Sequence, residues 1–206
     1  MKFIIGTKAG MTQIFDEKGV CTAATILRVA PARVSQVKRV DTDGYDAVQV
    51  ASGEQKDHRV AKAQKGHFGN GVLHAKEYRP KFNEENKVAE IAKDTVIDAS
   101  IFAPGDTIAV RAVSKGKGFQ GVVKRHGFGG GFRTHGQKHS EREPGAIGST
   151  GFMRVIKGTR MAGRMGSDTI TIKNLRVLQV NPAENILLVS GAVPGRKGTL
   201  VEVRGI

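Results

Sequence analysis

Ile108-Ala-Val-Arg-Ala-Val113 runs without a break into Ser114-Lys-Gly-Lys-Gly-Phe-Gln-Gly121, and this junction decides how the chain is built. The first segment is short and mostly apolar, the composition of a β-strand. The second has neither a 2-residue nor a 3.6-residue apolar repeat. Instead of a tight turn and a partner strand, the chain enters glycine and lysine. Strand-like sequence returns only at Thr169. The arrangement is that of an excursion leaving one strand and coming back into another.

The charge is concentrated in the same place. The 206 residues carry 33 Lys/Arg against 19 Asp/Glu, a formal net charge of +14. Residues 114–166 hold eleven Lys/Arg against Glu141 and Glu143, a net +9, which leaves +5 for the rest of the chain. They also hold fourteen of the 27 glycines and three of the six histidines. Such an excess calls for a polyanionic partner, nucleic acid or an anionic membrane surface. Glycine loses the most backbone entropy on ordering, so a segment of this kind is expected to be ordered by its partner. Folded out and back, about 26 residues each way reach on the order of 80 Å at full extension.

The flanks have a different character. Met11–Phe15, Val20–Val29, Arg33–Val40 and Ala47–Ala51 are rich in Val, Ile and Thr, separated by Asp16–Gly19, Ala30–Ala32 and Asp41–Gly44. Thr169–Val180, Ile186–Ser190 and Thr199–Arg204 follow the excursion, with a turn at Asn181–Asn185. Short strands at close spacing predict a β-barrel closed by strands from both sides of the excursion. Residues 54–87 read as an insertion, with Asp57 capping a short helix over His58–Lys65 that Gly66 stops. Its basic stripe, Lys56, Arg59, Lys62 and Lys65, drifts around the helix as a solvated face does. The expected domains are therefore residues 1–113 with 167–206 as a barrel, and 114–166 as an extended loop.

Several classes are excluded. Phe3-Ile4-Ile5 is too short for the apolar region of a signal peptide. No apolar run approaches the roughly 18 residues of a membrane helix. Cys21 is the only cysteine, which rules out an internal disulfide and a cysteine-based zinc site and fits a reducing, cytosolic compartment.

Two motif matches fail on context. Gly116-Lys-Gly-Phe-Gln-Gly121 satisfies GxGxxG, but Val122–Gly127 runs back into glycine where a phosphate-binding helix is required. His135 and His139 are four apart but have no Glu between them and no predicted helix to align them, so no metal site is expected. No nucleophile, base and acid group together, so no catalytic residue, cofactor or small-molecule substrate is assigned. Phe119, Phe128, Phe132 and Phe152 lie among cations. They can stack on unpaired bases or form small clusters within the loop. With no helix-turn-helix, finger or basic zipper to enter a major groove, folded RNA is the better fit than duplex DNA.

Three segments carry a more specific signal. Gly6-Thr-Lys-Ala-Gly-Met-Thr-Gln-Ile-Phe15, Ser114–Gly121 with Lys124-Arg125, and Lys157-Gly-Thr-Arg-Met-Ala-Gly163 with Met165-Gly166 closely resemble the bacterial ribosomal protein L-three family. The resemblance spans nearly the whole chain, in order. It implies a mainly β fold, a six-stranded β-barrel of the translation-protein type with a short α-containing insertion and a long glycine-rich basic loop. It implies a structural, non-enzymatic component of the large ribosomal subunit in the cytoplasm. Such a protein binds 23S rRNA near its 3′ end, nucleates assembly and sends its loop toward the peptidyl transferase centre. Neighbours implied in the same way are ribosomal proteins L-fourteen and L-nineteen. One departure stands out: some bacterial members carry a methylated glutamine after the Pro-Gly-x-Ile-Gly segment, where this chain has Ser149-Thr150.

The residues expected to meet rRNA are Lys115, Lys117, Gly118, Phe119, Lys124, Arg125, His126, Phe128, Arg133, His135, Lys138, His139, Arg142, Arg154, Lys157, Arg160 and Arg164. An RNA-modifying enzyme and a general nucleic-acid-binding protein are the alternatives. The first needs acids or a nucleophile grouped beside the loop, and the second needs equal affinity for duplex DNA and rRNA.

Overall fold

The computed structural model describes residues 2–68, 71–79 and 91–206. Among these, twelve strands form most of the regular structure. Before the excursion come β1 (Phe3–Phe15), β2 (Cys21–Arg28), β3 (Ala32–Lys38), β4 (Ala47–Glu54), β5 (Val72–Tyr78), β6 (Val96–Ile97) and β7 (Thr107–Val113). The pair β8 (Phe119–Gln120) and β9 (Gly163–Arg164) lies within it, and β10 (Thr169–Asn181), β11 (Ile186–Ser190) and β12 (Leu200–Gly205) follow. Three short helices accompany them, α1 (Val40–Asp43), α2 (Lys62–Phe68) and α3 (Val122–His126). The fold is mainly β. The chain divides into two compact units, Met1–Val113 with Thr169–Ile206, and Ser114–Asp168.

In the first unit six strands pair in the closed order β1-β12-β7-β10-β11-β2, with β2 returning to β1. Every junction is antiparallel. The register places apolar side chains in cross-strand rows. Ile4 faces Val203, which faces Val110, and Leu27 faces Leu187. All five are fully buried, each burial favouring the fold by roughly 1.5–3 kcal/mol.

The first strand begins earlier than the sequence suggests. Met11 was its expected start, but pairing begins at Phe3. Successive residues of a strand point to opposite faces, yet Phe3, Ile4 and Ile5 are all buried. The Phe3 ring lies 5.1 Å from that of Tyr78 in β5, so the second face of β1 is covered by another sheet. A strand buried on both faces shows an unbroken apolar run instead of alternation. That is why the triplet resembles a fragment too short to matter.

The covering sheet has the order β5-β4-β3-β6. It corrects the expectation that the segments 33–40 and 47–51 join the barrel. They pair with each other instead, Val34 with Val50 and Val37 with Val48. Val34, Val48 and Val50 share one buried cluster with Phe3, Ile5 and Leu27. The strand also stops at Lys38, because Val40 opens α1, which Gly44 ends with φ 79°.

The insertion differs in detail as well. Asp57 begins a 3-10 turn, Asp57–Arg59, without a side-chain cap, and the helix starts at Lys62. Gly66 lies inside α2 rather than stopping it. The guanidinium of Arg33 donates to the Phe68 carbonyl, and His67 Nε2 lies 2.8 Å from Gln49 Oε1, so tertiary contacts override the glycine signal. Within 54–87 the chain also forms β5, a full strand of the second sheet. Residues 80–87 of that insertion lie outside the described residues. No helix among the described residues is long and apolar enough to cross a membrane.

Candidate nucleic-acid interface

The basic segment is organised by its backbone. Ser114 N–H donates to the Asp168 carbonyl at 2.9 Å, Lys117 N–H to that of Met165 at 2.9 Å, and Met165 N–H to that of Gly118 at 3.0 Å. Phe119 and Gln120 then pair with Arg164 and Gly163. The limbs come this close because Gly166 lacks a side chain. Its φ is +76°, and a Cβ there would lie 2.1 Å from the Lys115 carbonyl oxygen.

A helix does follow Gly121, contrary to the expectation that the chain dissolves into glycine there. It is a single turn, α3, ended by Gly127 in the left-handed conformation. The strand before it has two residues and an antiparallel partner. A dinucleotide site needs a parallel βαβ unit and a helix long enough to face the phosphates. The match to GxGxxG therefore remains formal.

Val122 is the buried apolar residue of this unit, at 2% exposure. Polar contacts take over much of the role of a core. Arg125 Nη1 donates to the Met161 carbonyl at 2.7 Å, and His126 Nε2 lies 3.1 Å from the same oxygen. Because that oxygen can only accept, Nε2 carries the proton. Further along, Gly131 N–H donates to the Glu141 carbonyl at 2.9 Å, and Arg133 pairs with the Glu141 carboxylate. Gly130, with φ +77°, packs where a Cβ would stand 2.3 Å from that carbonyl. The segment expected to lack structure thus has a fold of its own, held by backbone hydrogen bonds and glycine contacts.

The predicted residues spread over all of it. Lys115, Lys117, Gly118, Phe119 and Arg164 lie on or beside the paired limbs, and Lys124, Arg125 and His126 lie on α3. Phe128, Arg133, His135, Lys138, His139 and Arg142 occupy the glycine-rich turns, and Arg154, Lys157 and Arg160 the returning limb. Arg125, His126 and Phe128 are half-buried, and the others are exposed. The structure brings Arg125 and His126 together on Met161, which gives both an internal task. His126 and Phe128 have ring centroids 6.0 Å apart, whereas Phe119 and Phe132 are 76% and 82% exposed. A local cluster explains Phe128 in part and leaves Phe119 and Phe132 open to a partner. Among the described residues no group of three or more His, Cys, Asp or Glu could hold a metal ion.

Sequence reasoning named Gly163 and Gly166 as motif positions and Glu141 as an acid of the segment, but gave neither them nor Gly130 a structural role. A glycine required by φ or packing looks the same in sequence as one that is not. Glu141 was detectable as one of only two acids in the window.

Comparison with known proteins adds to this geometry. The family described as Ribosomal protein L3 matches residues 80–186. The large ribosomal subunit protein uL3 of Chloroherpeton thalassium is 45% identical over 204 residues, covering 98% of this chain and 98% of its own. The protein of the same name from Chlorobium phaeobacteroides is 43% identical with the same coverage. That of Chlorobium limicola is 40% identical over 207 residues, 100% of this chain and 99% of its own. Because the likeness runs through the barrel strands, the second sheet and the basic unit alike, the chain belongs to the ribosomal protein L3 family, whose members are structural proteins of the ribosome and not enzymes.

Proposed function

We propose that this chain is an rRNA-binding structural component of the large ribosomal subunit, seated on 23S rRNA near its 3′ end and active early in assembly. In this reading the ring of six strands is a translation-protein-type barrel that remains at the subunit surface. Residues 114–166 penetrate the folded rRNA toward the peptidyl transferase centre. The seventeen predicted residues supply the contacts, and ribosomal proteins L-fourteen and L-nineteen are the neighbours.

One observation carries the proposal. Of the eleven Lys/Arg in residues 114–166, only Arg133 and Arg164 lie within ion-pair distance of an acid among the described residues. Nine cations concentrated on one small unit repel one another, and phosphates relieve that repulsion while releasing counterions. Arginine adds planar forks that grip phosphate and stack on bases. The names of the relatives, large ribosomal subunit proteins, place them in the same particle.

The test is removal of the unit. Replacing residues 115–165 by a short linker should leave the barrel folded and abolish stable incorporation into large subunits. Incorporation at wild-type occupancy would overturn the role given to the unit. Competition between rRNA and duplex DNA at several salt concentrations separates this role from general nucleic-acid binding, which predicts equal affinities.

A further inference from the structure

Within the basic unit, Phe128, Gly129, Gly131, Gln137, Ser140 and Glu143 line an open cleft of about 560 Å³. We propose that this cleft holds one unpaired RNA base, its face on the Phe128 ring and its edge N–H groups on the Glu143 carboxylate. The inference rests on the rRNA reading above and names one element of what the unit recognises.

Three features favour a base over any other occupant. The first is shape and chemistry. An aromatic ring beside glycine backbone admits a flat, apolar face, and the volume lies within the roughly 300–1,000 Å³ of small-ligand clefts, enough for a base with its ribose. Unpaired bases stack on such rings and offer their edges to polar groups nearby.

The second is Glu143. It is one of two acids in a segment of net +9. Glu141 pairs with Arg133, whereas Glu143 has no ion pair among the described residues. An acid serving only to offset the surrounding cations would be found against one of them. A carboxylate left open in the cleft is an acceptor for base N–H groups, the pairing by which acidic side chains read nucleic-acid edges.

The third is Gly129. Its φ lies outside the left-handed region, and a Cβ there would meet no atom within 4 Å. Neither conformation nor internal packing requires glycine at this position. The space beyond it is open and borders the cleft, as close approach by a partner demands.

The experiment measures binding of the full-length protein to deproteinised large-subunit rRNA across a salt series, for wild type, Gly129→Leu and Glu143→Gln. Gly129→Leu fills the cleft without disturbing the fold, which circular dichroism checks. Glu143→Gln removes a negative charge and so strengthens binding on electrostatic grounds alone. Loss of a base contact instead weakens both variants about tenfold, with the slope of log K against log salt unchanged, because no phosphate contact is lost. Gly129→Leu binding within about twofold of wild type, or Glu143→Gln binding more tightly, overturns the base site while leaving the rRNA reading intact. Wild-type protein that does not bind rRNA, or binds it without salt dependence, overturns the rRNA reading and the base site with it.

Discussion

Arg125 donates through Nη1 to the Met161 carbonyl at 2.7 Å, tying the outgoing limb of the basic unit to the returning one across 36 residues of chain. The same nitrogen lies 2.7 Å from where a Cβ on Gly163 would stand. A side chain predicted to contact RNA therefore also shapes the unit that presents the other cations.

Arg125→Met should lose this charge-assisted hydrogen bond, costing about 1–2 kcal/mol of local stability. Gly163→Ala should act in the same direction by displacing the guanidinium. Faster hydrogen exchange at the Gln120 and Met165 amides, with the barrel amides unaffected, is the expected result.

Glycines of the basic unit should divide into two classes. Gly166→Ala meets a backbone oxygen at 2.1 Å with φ +76°, so it should destabilise the base of the unit by about 2 kcal/mol or more. Gly148→Ala meets nothing within 4 Å and has no left-handed φ. It should be neutral or slightly stabilising, by up to about 1 kcal/mol. Limited proteolysis of the free variants ranks them.

Leu27 and Leu187 face each other between β2 and β11, and both are 0% exposed. Either one changed to Ala should cost about 2–5 kcal/mol in denaturant unfolding. Leu73, 45% exposed on β5, should cost far less.

Lys38 Nζ lies 2.7 Å from Glu77 Oε1 and 2.9 Å from the Tyr45 hydroxyl. The hydrogen bond from Lys38 holds the Glu77 carboxyl below its ordinary value. Glu77 and then Tyr45 hold the Lys38 ammonium above its own. A depressed carboxyl contributes stability that is complete above the unfolded value and disappears as pH falls through the folded one. A raised ammonium contributes stability that is complete below the unfolded value and disappears as pH rises through the folded one. The advantage of wild type over Glu77→Gln should thus be greatest near neutrality and shrink below about pH 4, the ordinary glutamate range. Denaturant unfolding of both proteins between neutral and acid pH measures it.

If about nine cations meet phosphates, log K for rRNA should fall with log salt at a slope of about −6 to −8. Removing a single exposed cation, such as Lys157→Ala, should reduce the slope by slightly less than one. A filter-binding salt titration gives both values.

Residue types and their order sufficed for the mainly β fold. Val, Ile and Thr recur between turn residues on both sides of a segment that cannot alternate, and the L-three motifs were legible in the same residues. The charge distribution was equally plain, because net charge is a local sum. The +9 of residues 114–166 needs no fold to be counted.

Partner choice was decided only in three dimensions. The alternation in Arg33–Lys38 shows that one face is buried but not which strand lies beside it, and pairing with Ala47–Ser52 places it outside the ring. Phe3-Ile4-Ile5 could be recognised as a doubly buried strand only once β5 lay across it. Gly66 as a helix stop and Val122–Gly127 as a stretch without a helix were both wrong, because hydrogen bonds from distant residues, or a single turn of backbone, outweighed a weak local preference. In the basic unit, fourteen glycines look alike in sequence. Only the packing of the two limbs separates Gly166, which nothing larger could replace, from Gly129, which has space in front of it. Composition and period are properties of neighbouring residues, whereas strand partners and close approaches are set by residues far apart in the chain.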